Sequence, residues 1–233
     1  MTSVRGKDLA RLAFLLLVSA VGLVISTTLL MNPPHLASAP GYRWPLTTVV
    51  YDIICIAGIL AVLFPIACSK VAGIHHSFEQ PTEERPFRTA TRVLGLLVVH
   101  GHHPPGSEST KHELLVGKRS FCATCYGLLT GAIVSLAFIT VFSVTEWPRL
   151  MTIYSAYTLY FVGVTLVITG LLLPIVVDVG AKTRYVSAAV FVVGTGLMLL
   201  VTELLTEDLV ADLFVVLLAV FWLISRISLS HRS

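Results

Sequence analysis

Charge is what this chain of 233 residues has least of: Asp, Glu, Lys and Arg together make up 12% of it, about half of what an ordinary soluble domain carries. A soluble fold of this length needs a charged exterior, and there is too little charge here to build one. The net charge is only +3, so the sustained basic surface of a nucleic-acid-binding protein is missing. Cysteine is sparse too. Cys55, Cys68, Cys122 and Cys125 are too few to staple a secreted scaffold of this size. The sequence also lacks a phosphate-cradling glycine-rich loop, a Gly-x-Ser-x-Gly elbow and a His-Glu-x-x-His pattern, common signatures of nucleotide, ester and peptide hydrolysis. No pair of histidines sits within an apolar run, so nothing suggests a haem.

What is present is apolar: 55% of the residues are hydrophobic and the mean hydropathy is +0.86. A chain of that kind satisfies its backbone inside helices and turns its side chains to lipid. A spanning helix needs about 20 mostly apolar residues, and six runs qualify: 12–31, 47–68, 121–147, 153–179, 185–205 and 210–227. The expected fold is therefore all-α, a polytopic transmembrane bundle of six spans. Three parts follow: 1–68 with two spans and a short outer loop, 69–120 as a polar loop, and 121–233 as a four-helix bundle. The links within the last part are short, which makes consecutive helices antiparallel neighbours. Asn32-Pro33-Pro34 stops the first run. Cleavage of that run at Ala37-Ser38-Ala39 is a rival reading, although the run exceeds the roughly 7–15 residues of a signal-peptide core.

Basic residues set the orientation. With the N- and C-termini in the cytoplasm, only Arg43 and Arg149 of the sixteen Lys and Arg fall outside, and the opposite arrangement inverts that ratio against the positive-inside rule. This places a multi-pass protein in the cell membrane with segment 69–120 inside. Within that segment, 93–100 is apolar but too short to span, and is expected to lie on the membrane or pack on the bundle. The run Glu83-Glu84-Arg85, with Arg88 and Arg92, is read either as the start of a short interfacial helix meeting anionic head groups or as a solvated loop. Gly127, Gly131, Gly163, Gly170, Gly194 and Gly196 suit close helix contact, with Gly127-x-x-x-Gly131 a small-xxx-small pair.

One constellation suggests chemistry. His100, His102 and His103, followed by Pro104-Pro105, precede Cys122-Ala123-Thr124-Cys125. Cysteines three apart at a helix start put two sulfurs on one face, a spacing suited to a tetrahedral ion, and imidazoles could complete a Cys₂His₂ or Cys₂His set. Zinc is the metal such ligands favour. Two rival readings stand beside it: a redox dithiol, its thiolates favoured by Lys118, Arg119 and the helix N-terminus, and cysteines that only pack. A reducing cytoplasm counts against the redox reading.

This region resembles the prokaryotic membrane proteins grouped as domain-of-unknown-function family 2085. Their pattern has a Cys-His pair near a Pro and Arg-Ser, then Cys-Ala-Arg-Cys-Thr-Gly opening a helix, then a Pro-hydrophobic-hydrophobic-Asp segment and a glycine-bearing helix. His102-His103-Pro104 stands near the first element. Cys122-Ala123-Thr124-Cys125-Tyr126-Gly127 matches the second at both cysteines, Ala123 and Gly127. Pro174-Ile175-Val176-Val177-Asp178 matches the third, and Gly194 and Gly196 follow. The resemblance covers 98–199 and departs at three places: histidine for the first cysteine, Thr124 for arginine and Tyr126 for threonine. It implies a cytoplasmic Cys/His site and supplies no reaction.

Ionisable residues near the membrane are the remaining candidates. Asp178, four residues after Pro174, is a candidate base or proton acceptor, a partner for Lys182 and Arg184, or a group that orients a ligating imidazole. Asp52, Glu203 and Asp212 fall near outer span ends, where they form a cation or proton path only if their helices are neighbours. His75, His76 and His112 are read as solvated. Three functions follow: a structural or regulatory zinc site pinning the loop to the bundle, a membrane-embedded metal enzyme holding a lipid or isoprenoid head group through Lys118 and Arg119, or a proton- or cation-coupled transporter. The partners expected are the lipid bilayer and, as an option, further copies of the chain; nucleic acid is not one.

Overall fold

A computed structural model describes residues 6–33, 43–63, 90–93, 96–99, 113–116, 119–144, 152–206 and 208–230. Among these there are six helices: α1 (Gly6–Met31), α2 (Arg43–Leu63), α3 (Ala123–Val144), α4 (Ile153–Val176), α5 (Ala181–Thr206) and α6 (Leu209–Ser230). Two antiparallel hairpins stand between α2 and α3, β1 (Ala90–Val93) with β2 (Leu96–Val99) and β3 (Glu113–Val116) with β4 (Arg119–Cys122). Five helices carry stretches long and apolar enough to cross a membrane: Leu12–Met31, Ala123–Phe142, Ile153–Val176, Ala181–Thr206 and Leu209–Arg226. The apolar stretch of α2, Thr47–Leu60, is shorter, and residues 64–68 of the expected second span lie outside the described residues. The protein is a helical membrane protein, and lipid meets the apolar side chains on its outside, such as Leu17, Val24, Ile53, Val141, Phe161 and Leu217.

Several element ends differ from expectation. Within the apolar run 93–100, Leu96–Val99 pairs with Ala90–Val93, so Thr91 and Arg92 are strand rather than part of an interfacial helix. Residues 83–89 of that charge run lie outside the described residues. Both hairpins have two residues, one of them glycine, between their paired strands (Leu94-Gly95 and Gly117-Lys118 in the sequence), the spacing that favours hairpin pairing over a helix too short to nucleate. The third helix accordingly begins at Ala123 rather than 121. At the same end of the bundle α4 stops at Val176, where Val177 turns extended (φ −117°, ψ 135°), which leaves Asp178 in the link. Helix α5 starts at Ala181 and so takes in Lys182 and Arg184.

Side chains cap two helix starts. Thr152 accepts from the Ser155 N–H at 3.3 Å at the head of α4. Asp208 accepts from the N–H groups of Val210 (2.8 Å) and Ala211 (3.3 Å) at the head of α6, two of the donors a helix N-terminus leaves unsatisfied.

Helix α5 is the hub. Of its apolar window 72% is buried, against 28–39% in the other four, and α4, α3, α6 and α1 all pack on it. Small residues allow that approach. A Cβ added at Gly194 would lie 2.8 Å from the Gly163 carbonyl oxygen, and one at Gly163 would lie 3.0 Å from the Gly194 carbonyl oxygen. At Gly131 it would lie 2.6 Å from the Ala189 carbonyl oxygen, while Gly127 packs against Tyr185. Both members of the Gly127/Gly131 pair thus touch α5, as their spacing implies. Polar bonds tie the outer helices in: Ser26 to Tyr160 (2.8 Å) joins α1 to α4, and Trp222 donates to Ser19 at 2.9 Å to join α6 to α1. The Tyr51 hydroxyl of α2 donates to the Val192 carbonyl of α5 at 3.1 Å.

Candidate functional site

The packing pairs establish which groups share an end of the bundle. Gly127, in the first turns of α3, lies against Tyr185 in the first turns of α5, so these helices begin together. Arg226 near the end of α6 bonds Ser187 of α5 and the Gly170 carbonyl late in α4. One end therefore gathers the starts of α3 and α5, the ends of α4 and α6, and β4. It carries Cys122, Cys125, Asp178, Lys182, Arg184 and Arg226. The opposite end holds the α5–α6 turn with Glu203, Asp208 and Asp212. Cys122, Cys125 and the buried arginines sit at one end of the bundle, and the buried carboxylates Glu203, Asp208 and Asp212 at the other.

Cys122 is not on the helix, as its spacing suggested, but is the last residue of β4. Cys125 stands in the first turn of α3. Both carry thiols rather than a disulfide; Cys122 is buried and Cys125 half-buried. The Tyr126 hydroxyl lies within electrostatic reach of both sulfurs, and its ring meets Phe121 edge-on at 4.8 Å. The hairpin that delivers Cys122 touches the bundle where β3 meets α5, and β4 runs directly into α3. The cysteine pair thus bridges the join between the polar segment and the helices. His100, His102, His103 and Lys118 lie outside the described residues, as do His75, His76 and His112. Arg119 is placed in β4 by its backbone.

Asp178 is exposed in the α4–α5 link, and its charge acts on Arg184. The three carboxylates that would form a path only if their helices were neighbours fall on three helices: Asp52 half-buried on α2, Glu203 buried in the last turns of α5, and Asp212 buried in the first turn of α6. Among the described residues no three His, Cys, Asp or Glu side chains are grouped so as to hold a metal ion.

Three residues matter more than sequence reasoning allowed. Arg184 and Arg226 are each 5% exposed, and Asp208, which caps α6, is 1% exposed. The signal for Arg226 was its position inside the last apolar run, where a charge needs an internal partner. Burial of Arg184 had no such signal, because a basic residue at the start of a span ordinarily reaches water. No protein-family model, characterised protein or solved structure matches the chain.

Proposed function

We propose that this is a multi-pass cell-membrane protein with both termini in the cytoplasm, whose cytoplasmic segment is clamped onto the helix bundle by a Cys/His metal site of structural or regulatory role. Cys122 and Cys125 supply two thiolates, imidazoles from His100, His102 and His103 complete the set, and zinc is the ion that such a donor set favours. The observation that carries the reading is the position of the thiols. One ends a strand, the next opens a helix, and the hairpin between segment and bundle packs on α5. A metal bound there would tie the strand that ends the polar segment to the first turn of α3. Orientation rests on the same end of the bundle, where Lys182, Arg184 and Arg226 gather in accord with the positive-inside rule.

Metal analysis of protein purified in detergent tests this: about one zinc per chain is expected from a single four-ligand site. Cys122→Ser and Cys125→Ser should each lose the metal and lower protein abundance. Metal-free protein whose two thiols alkylate at once would remove the site. Reporter fusions placing segment 69–120 outside the cell would reverse the topology. If Cys122→Ser loses metal yet stays folded and inactive, the ion is catalytic.

A second reading, a proton- or cation-coupled carrier, is favoured by Glu203, Asp208 and Asp212, three buried carboxylates within one turn-and-helix junction, since buried acids in a membrane protein mark ion paths. Under it, Glu203→Gln abolishes ion-driven uptake into vesicles while Cys122→Ser does not. Equal loss in both would reject it.

A further inference from the structure

Arg184 and Arg226 are the buried basic side chains among the described residues. A guanidinium cannot shed its proton, so its burial must be offset by partners. Those of Arg226 are neutral: Nη1 donates to the Gly170 carbonyl, Nη2 to Ser187 Oγ at 3.1 Å, and the group lies 5.6 Å from the Phe191 ring centroid. Its Nε is buried without a hydrogen-bond partner. Arg184 stands close enough for the two like charges to act on one another. Ser187 links the two residues, accepting from Arg226 and donating to the Arg184 carbonyl at 2.9 Å. Around them lie the first turn of α5, where the helix dipole is positive, and exposed Lys182 toward the surface. Two buried cations and a helix N-terminus converge here, and the carboxylate that acts on Arg184, Asp178, is exposed.

We propose that Arg226, Arg184 and the first turn of α5 form a binding site for a phosphate group, borne by a lipid head group or free in solution. The guanidinium fork matches phosphate oxygens in a way that a single carboxylate from a loop does not. One anion between two guanidiniums turns their repulsion into attraction and supplies an acceptor for Nε. The apolar stretches of α4 and α6 end at Val176 and Arg226 and that of α5 begins at Ala181, so the site stands at span ends, the level at which lipid phosphates would be met. The proposal shares no residue with the cysteine pair, and either can fail without the other.

The test uses full-length protein in detergent and in nanodiscs. The unfolding midpoint is followed against added inorganic phosphate at constant ionic strength, with chloride as control, and in phosphatidylcholine discs with and without phosphatidylglycerol. Wild-type protein should gain several degrees from one probe or the other. Arg184→Gln leaves the Arg226 bonds to Gly170 and Ser187 in place and should weaken the response about tenfold, the order of one lost charge-assisted pair. Should that variant not fold, Arg184→Lys keeps the charge but not the fork and should give a partial loss. A response to phosphatidylglycerol alone identifies a lipid head group, and one to inorganic phosphate alone a soluble phosphate. A response that is absent, matched by chloride, or unchanged in the folded Arg184 variant overturns the proposal.

Discussion

Replacing Gly194 by alanine tests whether α5 is held by backbone-to-backbone approach. The added methyl would lie 2.8 Å from the Gly163 carbonyl oxygen, 2.9 Å from Leu166 Cβ and 2.9 Å from the Val167 nitrogen. Two of those are main-chain atoms that no rotamer change can move. Non-bonded heavy atoms settle at roughly 3.5–4.0 Å, so α4 and α5 must separate by more than about half an ångström along their most extensive contact. Overpacking of this kind costs about 1–3 kcal/mol. Alanine also gains about 1 kcal/mol in helix propensity over glycine, so the proper control is the same change at Gly58, in the interior of α2, where an added Cβ meets nothing within 4 Å. Gly58→Ala should stabilise, and Gly194→Ala should fall below it by about 1–3 kcal/mol, which is several degrees at roughly 2–4 °C per kcal/mol. Thermal unfolding in detergent, followed by the circular dichroism of the helices, measures both. Equal midpoints for the two variants would show that α4 and α5 are not in this contact.

Three further outcomes follow. Tyr160→Phe removes the hydroxyl bonded to Ser26 and should cost roughly 0.6–1.7 kcal/mol, the range for hydrogen bonds inside membrane bundles; a double-mutant cycle with Ser26→Ala should recover it, and additive effects would refute the bond. Asp208→Ala removes the α6 cap and should destabilise by about 1 kcal/mol, whereas Asp208→Asn keeps an acceptor and should cost less; equal losses would mean that charge and not capping matters. In chelating buffer, with Cys68 replaced by serine, half-buried Cys125 should alkylate before buried Cys122 and Cys55, read by peptide mass spectrometry; simultaneous labelling would contradict the burial order.

Sequence patterns carried far in some places and stopped in others, for identifiable reasons. Residues 12–31 read as a spanning helix because a long apolar run has one solution in lipid, and α1 occupies that run. The strand pairing within 93–100 was not legible because so short an apolar stretch does not state its own period, and the pairing of Leu96–Val99 with Ala90–Val93 depends on both segments. Cys122 and Cys125 were legible as a pair but not as a strand end and a helix start. That boundary depends on the pairing of Arg119–Cys122 with Glu113–Val116.

Composition and charge placement, read along the chain alone, determined that this is a helical membrane protein, where its apolar runs lie, and that its glycines serve close packing. Each of those is a local property, set by the solvent a residue prefers and by the turn of a helix. Only the tertiary structure decided that α5 is the hub, and that Arg184 and Arg226 are buried within electrostatic reach of one another. A helix apolar on every face gives no sign of which face meets protein and which meets lipid, so neighbours brought together across long stretches of chain had to make that choice.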